Sequence, residues 1–308
     1  MQLSVIIPTH NPHPGRLHRT LSGLRDQILP AGGWETVLVN NASTDFPDAG
    51  FFADCAPANF SIVDEPQPGL TAARRRGFAE ACGETCVLVD DDNVLARDYL
   101  AEALRLFGAH APVGAMGGKS APEFTVEPPA WTHQFQDLLA LRNFGDRPLI
   151  SNGLRPADSL HNRYPAFSPI GAGMVLRRAA IQGWLKAAAA PLPDRRGSEL
   201  SSSGDNDLVF SVLEAGWEVA YFPSLCLVHL IPAARLEAEY LARLNRGIQK
   251  SWMQVLLLHD ACPWPALSPT GVALRKGKAW FAHHPWTSSA ARVRYHGACG
   301  HFEGRLRR

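Results

Sequence analysis

The first half of the chain alternates apolar runs with segments of helical periodicity. Four apolar runs, each ending at a proline or a polar cluster, predict β-strands at residues 3–7, 36–39, 61–63 and 87–89. Helical spacing or helix-favouring composition predicts helices at residues 17–28, 72–81 and 98–107. Strands that alternate with helices indicate an α/β domain with a mainly parallel sheet.

The pattern changes twice in the second half. Between Gly114 and Pro169 the periodicity weakens, and prolines, tryptophans and polar residues accumulate. Irregular stretches within a compact domain tend to carry binding specificity, so we expect part of a substrate site here. From Ala233 onward apolar residues return at helical spacing, which predicts a C-terminal helical extension.

The candidate chemistry lies at the end of the fourth predicted strand, where Asp90, Asp91 and Asp92 follow an apolar run. Ligands bind at the carboxyl ends of strands in open α/β sheets, and three adjacent carboxylates need a cation to offset their repulsion. Mg²⁺ is usually held by one or two carboxylates together with substrate phosphates. The pattern therefore favours a divalent ion beside a nucleoside diphosphate. A solvated acidic turn that caps the next helix is the alternative.

Composition and charge narrow the class of protein. Of 308 residues, 46% are hydrophobic and 19% charged, which is typical of a globular chain, and the net charge of +1 argues against nucleic-acid binding. The six cysteines lack CxxC spacing, so we expect reduced thiols. The N-terminus runs directly into a strand, and no apolar stretch reaches ~18 residues. We expect a cytoplasmic protein.

Five motifs occur in the order seen in family 2 glycosyltransferases of the GT-A fold. They are residues 4–11, 39–45, 68–74, 90–92 and 204–208. The chain resembles this family over about residues 1–230. The resemblance implies a GT-A fold, in which a mixed, mainly parallel sheet is flanked by helices. It implies a nucleotide-binding half at about 1–115 and an acceptor half at 116–230, followed by a helical and basic extension at 231–308.

The resemblance also implies roles for residues at the strand ends. The positions expected to bind the nucleotide are Pro8, Thr9, Asn11, Asn40, Arg74, Asp90 and Asp91. Asn40 stands where the family usually has an aspartate that contacts the base, so uracil is allowed but not compelled. Asp92 and Asp90 match the carboxylates that hold Mn²⁺ or Mg²⁺ in the family. His229 is a further candidate metal ligand, with a structural histidine as the alternative.

Asp205 falls on the catalytic base position of the family, although Gly204 replaces the glutamate that usually precedes it. Two carboxylates at a helix start are also explained by helix capping alone. The residues expected to contact the acceptor or the donor sugar are Gly171, Ala172, Gly173, Asp207 and Trp131. Of these, Asp207 is equally suited to supporting its helix, and aromatic residues such as Trp131 more often pack in a core.

The resemblance implies a metal-dependent, inverting glycosyltransferase. It would move a sugar from a nucleoside-diphosphate sugar, with a UDP-sugar as the first guess, to a hydroxyl of a glycan or lipid-linked acceptor in bacterial surface-polysaccharide synthesis. Two alternatives stay open: a retaining glycosyl- or nucleotidyltransferase on the same fold, and a catalytically silent scaffold that binds a sugar nucleotide. Product anomer analysis separates the first from inversion.

The last 39 residues, 270–308, are strongly basic, with Glu303 as their one acid. Aromatic residues lie between the basic ones, so this tail is suited to the inner face of an anionic membrane. A disordered basic end is the alternative, and nucleic acid is not an expected partner.

Overall fold

Nine strands form one mixed sheet within the residues that the structure describes. The computed structural model describes residues 1–29, 33–151, 164–188, 192, 200–201 and 203–307. The strands are β1 (Leu3–Thr9), β2 (Trp34–Asn41), β3 (Phe60–Glu65), β4 (Thr85–Leu88), β5 (Asn93–Leu95), β6 (Val113–Phe124), β7 (Leu149–Ile150), β8 (Met174–Arg177) and β9 (Glu218–Ile231). Their order is β3-β2-β1-β4-β8-β6-β9-β5, with β7 paired to β9.

Parallel pairing joins β1 to β2 and β4, and β2 to β3, as the sequence predicts for the first half. The carboxyl ends of these strands therefore lie along one edge of the sheet. In the second half β8 runs antiparallel to β4 and β6, while β9 pairs in parallel with β6 and antiparallel with β5. The last pairing brings His229 opposite Asn93, next to the three carboxylates.

Helices cover both faces of the sheet. They are α1 (Pro14–Arg25), α2 (Ala49–Cys55), α3 (Leu70–Glu80), α4 (Tyr99–Ala109), α5 (Gln182–Lys186), α6 (Ser203–Glu214), α7 (Ala238–Leu258), α8 (Pro269–His283) and α9 (Ser289–Gly304). Because successive strand residues point to opposite faces, Val5 packs in the cluster with α1 and α4, whereas Ile6 packs in the cluster with α3 and α6. A parallel sheet is typically covered on both sides in this way.

The C-terminal extension forms α7, α8 and α9, so the alternative of a disordered basic end does not describe residues 269–304. Helix α9 lies against α7 through glycines: a Cβ atom at Gly300 would overlap the carbonyl oxygen of Arg246, and one at Gly304 would overlap that of Lys250. The extension follows β9, which ends at Ile231. Among the described residues, no helix combines the length and the apolar character needed to cross a membrane.

Candidate active site

A cavity of about 420 Å³ opens at the carboxyl ends of β1 and β4, where the sequence places its candidate chemistry. Its size suits a small-molecule ligand. The strand ends, the start of α3, the segment before β8, the start of α6 and one face of α7 form its walls. Ten of the predicted site residues line it: Pro8, Thr9, Arg74, Asp90, Asp91, Asp92, Gly171, Ala172, Asp205 and His229.

Thr9 and Asp91 connect β1 to the acidic turn after β4. The Thr9 hydroxyl donates a hydrogen bond to Asp91 Oδ2. Burial and the neighbouring carboxylates of Asp92 and Asp90 raise the pKa of Asp91 to about 6, against the effect of the Thr9 hydrogen bond. The adjacent carboxylates disfavour the ionised form of Asp91, and a cation in the cavity would offset this repulsion.

Asp92 is buried and already has a cationic partner. Its Oδ2 atom lies 2.9 Å from Arg235 Nη2, and its Oδ1 atom lies 3.4 Å from His229 Nε2. Burial raises the pKa of Asp92, but the adjacent His229 and the charge of Arg235 outweigh it and hold the pKa well below its ordinary value. Asp92 is therefore ionised throughout the physiological pH range.

The partners of His229 fix its tautomer. Arg235 Nη1 lies 3.0 Å from Nε2, and the carbonyl oxygen of Leu139 lies 2.9 Å from Nδ1. Because a guanidinium group only donates, Nε2 accepts from Arg235 and Nδ1 donates to Leu139. His229 thus presents the Nε2 lone pair on the side of Asp92 and the cavity, which is the arrangement of a metal-ligating histidine with an oriented second nitrogen.

Arg74 and Asp205 form a buried ion pair across the cavity. Arg74 Nη1 pairs with Asp205 Oδ1, and Arg74 Nη2 lies 4.0 Å from Asp90 Oδ1. The backbone N–H of Gly171 donates to Asp205 Oδ2 at 2.7 Å. A side chain at position 171 would overlap the Arg74 guanidinium, so glycine permits this close approach. Among the described residues, Arg74 Nε is buried without a hydrogen-bond partner.

Asn11 and Asn40, which we expect to bind the nucleotide, do not line this cavity. Asn11 has a left-handed backbone conformation with φ of 49°, and its Oδ1 atom accepts hydrogen bonds from the backbone N–H groups of Thr44 (2.8 Å) and Asp45 (3.0 Å). It therefore joins the loop after β1 to the loop after β2. The Asn40 amide donates to Asp64 Oδ1 at 2.8 Å.

Asp207, which we expect to contact the acceptor or support its helix, also lies outside the cavity lining. Its Oδ2 atom accepts from Trp184 Nε1 at 2.6 Å, and its Oδ1 atom lies 3.0 Å from His259 Nε2. The other nitrogen of His259 lies 2.8 Å from Glu214 Oε1. Burial lowers the pKa of His259, but the hydrogen bonds with Asp207 and Glu214 outweigh it, and the pKa lies above its ordinary value.

Trp131 and Gly173 also lie outside the cavity lining. Trp131 packs edge-on against Phe135 in the apolar cluster beside α7, which is the core alternative. Gly173 has a φ of 76° and donates its N–H to the carbonyl oxygen of Leu88 at 2.9 Å. It makes the turn into β8 and positions Gly171 and Ala172.

Several cavity residues were not predicted from the sequence. Arg235 lies on the short 3₁₀ turn Ala233–Leu236, only six residues after His229, and that proximity was the one available signal. Helix α7 contributes a row of side chains at helical spacing: Tyr240, Leu244 and Ile248. The same spacing is typical of a core-facing helix, so the pattern alone could not distinguish a cavity wall from a packed face.

Within the described residues, no three His, Cys, Asp or Glu side chains converge in a way that could hold a metal ion. Two of the predicted ligands nevertheless fit a divalent ion, because the Asp92 carboxylate and His229 Nε2 lie 3.4 Å apart in the cavity wall. An ion of the Mg²⁺ or Mn²⁺ type needs few protein ligands when substrate phosphates complete its shell. Arg235 contacts both of these groups.

Comparisons with known proteins agree with this fold and cavity. The family model for "Glycosyl transferase family 2" matches residues 4–184. The chain is 27% identical over 107 residues to "Putative glycosyltransferase EpsH" of Bacillus subtilis (strain 168), an alignment that covers 34% of this chain and 30% of that protein. The chain thus aligns with less than a third of the length of that relative.

Solved structures share the fold at low sequence identity. Residues 1–349 of S. aureus TarS superpose with a TM-score of 0.55 at 14% identity, over 99% of this chain and 90% of that one. The same TarS fragment has also been solved in complex with UDP. The mannosyltransferase PcManGT from Pyrobaculum calidifontis, in complex with GDP-Man and Mn²⁺, superposes with a TM-score of 0.58 at 18% identity, over 98% and 86% of the two chains.

The sheet order and the structural neighbours define a GT-A fold, and the family model defines a glycosyltransferase. The family model covers more than half of the sequence, from the first strand to α5. The chain belongs to glycosyl transferase family 2.

Proposed function

We propose that this chain is a metal-dependent, inverting glycosyltransferase that transfers a sugar from a nucleoside-diphosphate sugar to a hydroxyl group of a glycan or lipid-linked acceptor. The observation that carries the proposal is the arrangement of carboxylates in one cavity. Asp205 lies at the start of α6, Asp90 and Asp92 lie at the end of β4, and Arg74 spans the space between them.

This arrangement supports a single displacement at the anomeric carbon. Asp205 accepts the proton of the acceptor hydroxyl while the hydroxyl oxygen forms the new glycosidic bond. The bond from the anomeric carbon to the diphosphate oxygen breaks, and the diphosphate leaves with the electron pair. One displacement inverts the anomeric configuration, and a positioned base typically contributes ~10²–10⁴ in rate.

Arg74, Asp92 and His229 would bind the diphosphate of the donor and its divalent ion. Arg74 points its buried guanidinium at both Asp205 and Asp90, so a diphosphate between them would compete for the same cation. Asp92 and His229 would hold a divalent ion, which when bound offsets the charge of the leaving diphosphate. The complexes of TarS with UDP and of PcManGT with GDP-Man and Mn²⁺ support both expectations.

The experiment that tests the proposal is a thermal-shift titration with UDP, GDP, CDP and dTDP, each with and without Mn²⁺ or Mg²⁺. A ligand that binds only the folded state raises its stability, by ~2.7 kcal/mol at a hundredfold excess over Kd. We expect a metal-dependent shift with one nucleotide, UDP first. NMR of the product then reports the anomer. A product of retained configuration would favour the retaining alternative, and no shift with any nucleotide would favour a silent scaffold.

We also propose that the extension contacts an anionic membrane surface at the cytoplasmic face, where a lipid-linked acceptor of surface-polysaccharide synthesis would lie. Helix α8 exposes Leu274 (68%) and Phe281 (72%), which are one heptad apart on one face. Arg275 and Lys278 lie on the same exposed side, and no acid occurs on this helix. Exposed apolar side chains can enter the interface, and neighbouring basic side chains are attracted to anionic lipids.

Vesicle co-sedimentation tests this contact. We expect binding to phosphatidylglycerol vesicles and not to phosphatidylcholine vesicles, with at least a tenfold loss of binding in the Leu274→Ser, Phe281→Ser double variant. Ile62→Ser is the matched control, because Ile62 is also exposed (42%) but lies on β3 at the far edge of the sheet. Equal binding by both variants would refute the assignment of this face.

A further inference from the structure

Arg235 makes the contacts that a divalent ion would make. Its two terminal nitrogens reach two different predicted ligands, with Nη2 at 2.9 Å from Asp92 Oδ2 and Nη1 at 3.0 Å from His229 Nε2. Asp92 and His229 are both about 3% exposed, so this is a cation held between two buried groups. No other arginine or lysine in the described residues has a hydrogen bond or ion pair with either group among those the structure shows.

The contact with His229 excludes simultaneous binding of an ion. Because Nδ1 donates its proton to Leu139, Nε2 has a single lone pair in the plane of the ring. That lone pair either accepts from Arg235 or coordinates an ion. Asp92 has more acceptor capacity, but a singly charged guanidinium at one of its oxygens still competes with a divalent ion for the same charge.

The position of Arg235 allows it to give up these contacts. It lies on the 3₁₀ turn Ala233–Leu236 between β9 and α7, and its side chain is 25% exposed while Asp92 is 5% exposed at the side chain. Arg235 also lines the cavity, so the released guanidinium stays next to the space where the diphosphate would lie. A diphosphate offers an arginine a charged, bidentate partner in place of the one it loses.

We infer that Arg235 is an exchangeable counter-cation: it holds Asp92 and His229 before the divalent ion binds and yields them when the ion arrives. The exchange weakens binding of the ion alone. It also couples ion binding to nucleotide binding, because the diphosphate provides a new partner for Arg235. This inference rests on the metal dependence proposed above.

Direct Mn²⁺ binding tests the inference without any measurement of turnover. Free Mn²⁺ is measured by its EPR signal during titration of the wild type, Arg235→Gln and Arg235→Lys, with and without UDP. We expect Arg235→Gln to bind Mn²⁺ at least tenfold more tightly than the wild type in the absence of nucleotide. Arg235→Lys is expected to lie between them, because an ammonium group cannot bridge both partners. The UDP-induced gain in Mn²⁺ affinity should be smaller in Arg235→Gln.

Two further variants separate ligand release from a general change in charge. Arg243→Gln removes the same charge from an exposed position on α7 and should leave Mn²⁺ affinity unchanged. Adding His229→Ala to Arg235→Gln should abolish the tightened binding. Thermal unfolding in EDTA checks that each variant folds, and Arg235→Lys carries the test if Arg235→Gln does not fold.

The results of these titrations distinguish failure of the exchange from failure of the proposed metal dependence. Wild-type protein that binds no Mn²⁺ even with nucleotide would overturn the metal dependence and the exchange together. Wild-type binding that Arg235→Gln leaves unchanged or weakens would overturn the exchange alone. Tightened binding that persists without His229 would also overturn it, since the released lone pair would then not be the cause.

Discussion

Replacing Asp205 with asparagine removes the proposed base while keeping almost the same shape. The amide oxygen can still accept the Gly171 N–H, which now donates to Asp205 Oδ2 at 2.7 Å. The amide cannot take up a proton from an acceptor hydroxyl. Loss of the base should therefore lower kcat by ~10²–10⁴, or about 2.7–5.4 kcal/mol of transition-state stabilisation at 1.36 kcal/mol per tenfold change.

The effect of Asp205→Asn on stability should be smaller than the loss of a fully buried pair. Removing one partner of such a pair costs ~3–5 kcal/mol. Here Asp205 is 13% exposed at the side chain, Arg74 keeps Asp90 at 4.0 Å, and the amide still accepts a hydrogen bond, so we expect ~1–3 kcal/mol. Because Arg74 loses a competitor for the diphosphate, nucleotide affinity should be unchanged or tighter.

The assay combines kcat from product formation with nucleotide Kd from calorimetry and with the free energy of unfolding from denaturant titration. Asp207→Asn is the matched control, since Asp207 is two residues further along α6 and contacts Trp184 and His259 instead of the cavity. The control should lose stability and keep kcat within a few fold. A kcat of Asp205→Asn within tenfold of the wild type would refute the base assignment, and equal losses of kcat and nucleotide binding would make Asp205 structural.

Three other predictions concern metal binding, acidity and packing. Asp92→Asn should abolish the Mn²⁺-dependent part of the nucleotide-induced thermal shift, and a full shift in this variant would refute its role as a ligand. The pKa of His259 is raised, so its contribution to stability is complete below the ordinary value of 6.5 and is lost as the pH rises through the raised pKa. The unfolding free energy of the wild type minus that of His259→Gln should therefore shrink between pH 6 and 8.5. A difference that grows over this range would contradict the raised pKa. Gly300→Ala should destabilise the protein by ~1–3 kcal/mol because the added methyl group meets the Arg246 backbone. Gly277→Ala, with open space around it, should stabilise the protein by ~0.5–1 kcal/mol. If thermal and denaturant unfolding showed the same change in stability for the two variants, that result would argue against the close α7–α9 contact.

Local sequence pattern was sufficient for β1 to β4, for α1, α3 and α4, and for the acidic strand end, but it did not predict α2 or β5. The strand that ends at Leu88 and the helix that begins at Leu70 depend on runs of neighbouring residues, so their order places Arg74 and Asp90 at one edge of the sheet. The contact of Arg235 with Asp92 depends instead on the pairing of β9 with β5, which are far apart in the sequence. No local pattern encodes that pairing.

The positions of Asp207 and Asn11 outside the cavity lining had a signal in the sequence. Residues two apart on a helix do not share a face, so Asp205 and Asp207 could not both point into one cavity. Asparagine is enriched in left-handed backbone conformations, and Asn11 followed by proline is typical of a turn that a side chain stabilises. The position of Trp131 had no such signal, because a tryptophan is equally suited to packing in a core and to stacking on a sugar ring.

The close contact of α9 with α7 has a consequence for how this protein can be divided or recombined. One side of α7 meets the glycines of α9, while Tyr240, Leu244 and Ile248 of the same helix line the cavity. A fragment that ends at residue 231 would keep the acidic turn and Asp205 but would have a groove open along one side. A chimera that exchanges the extension would exchange a wall of the cavity as well, so the shape of the cavity and the exposed face of α8 would change together.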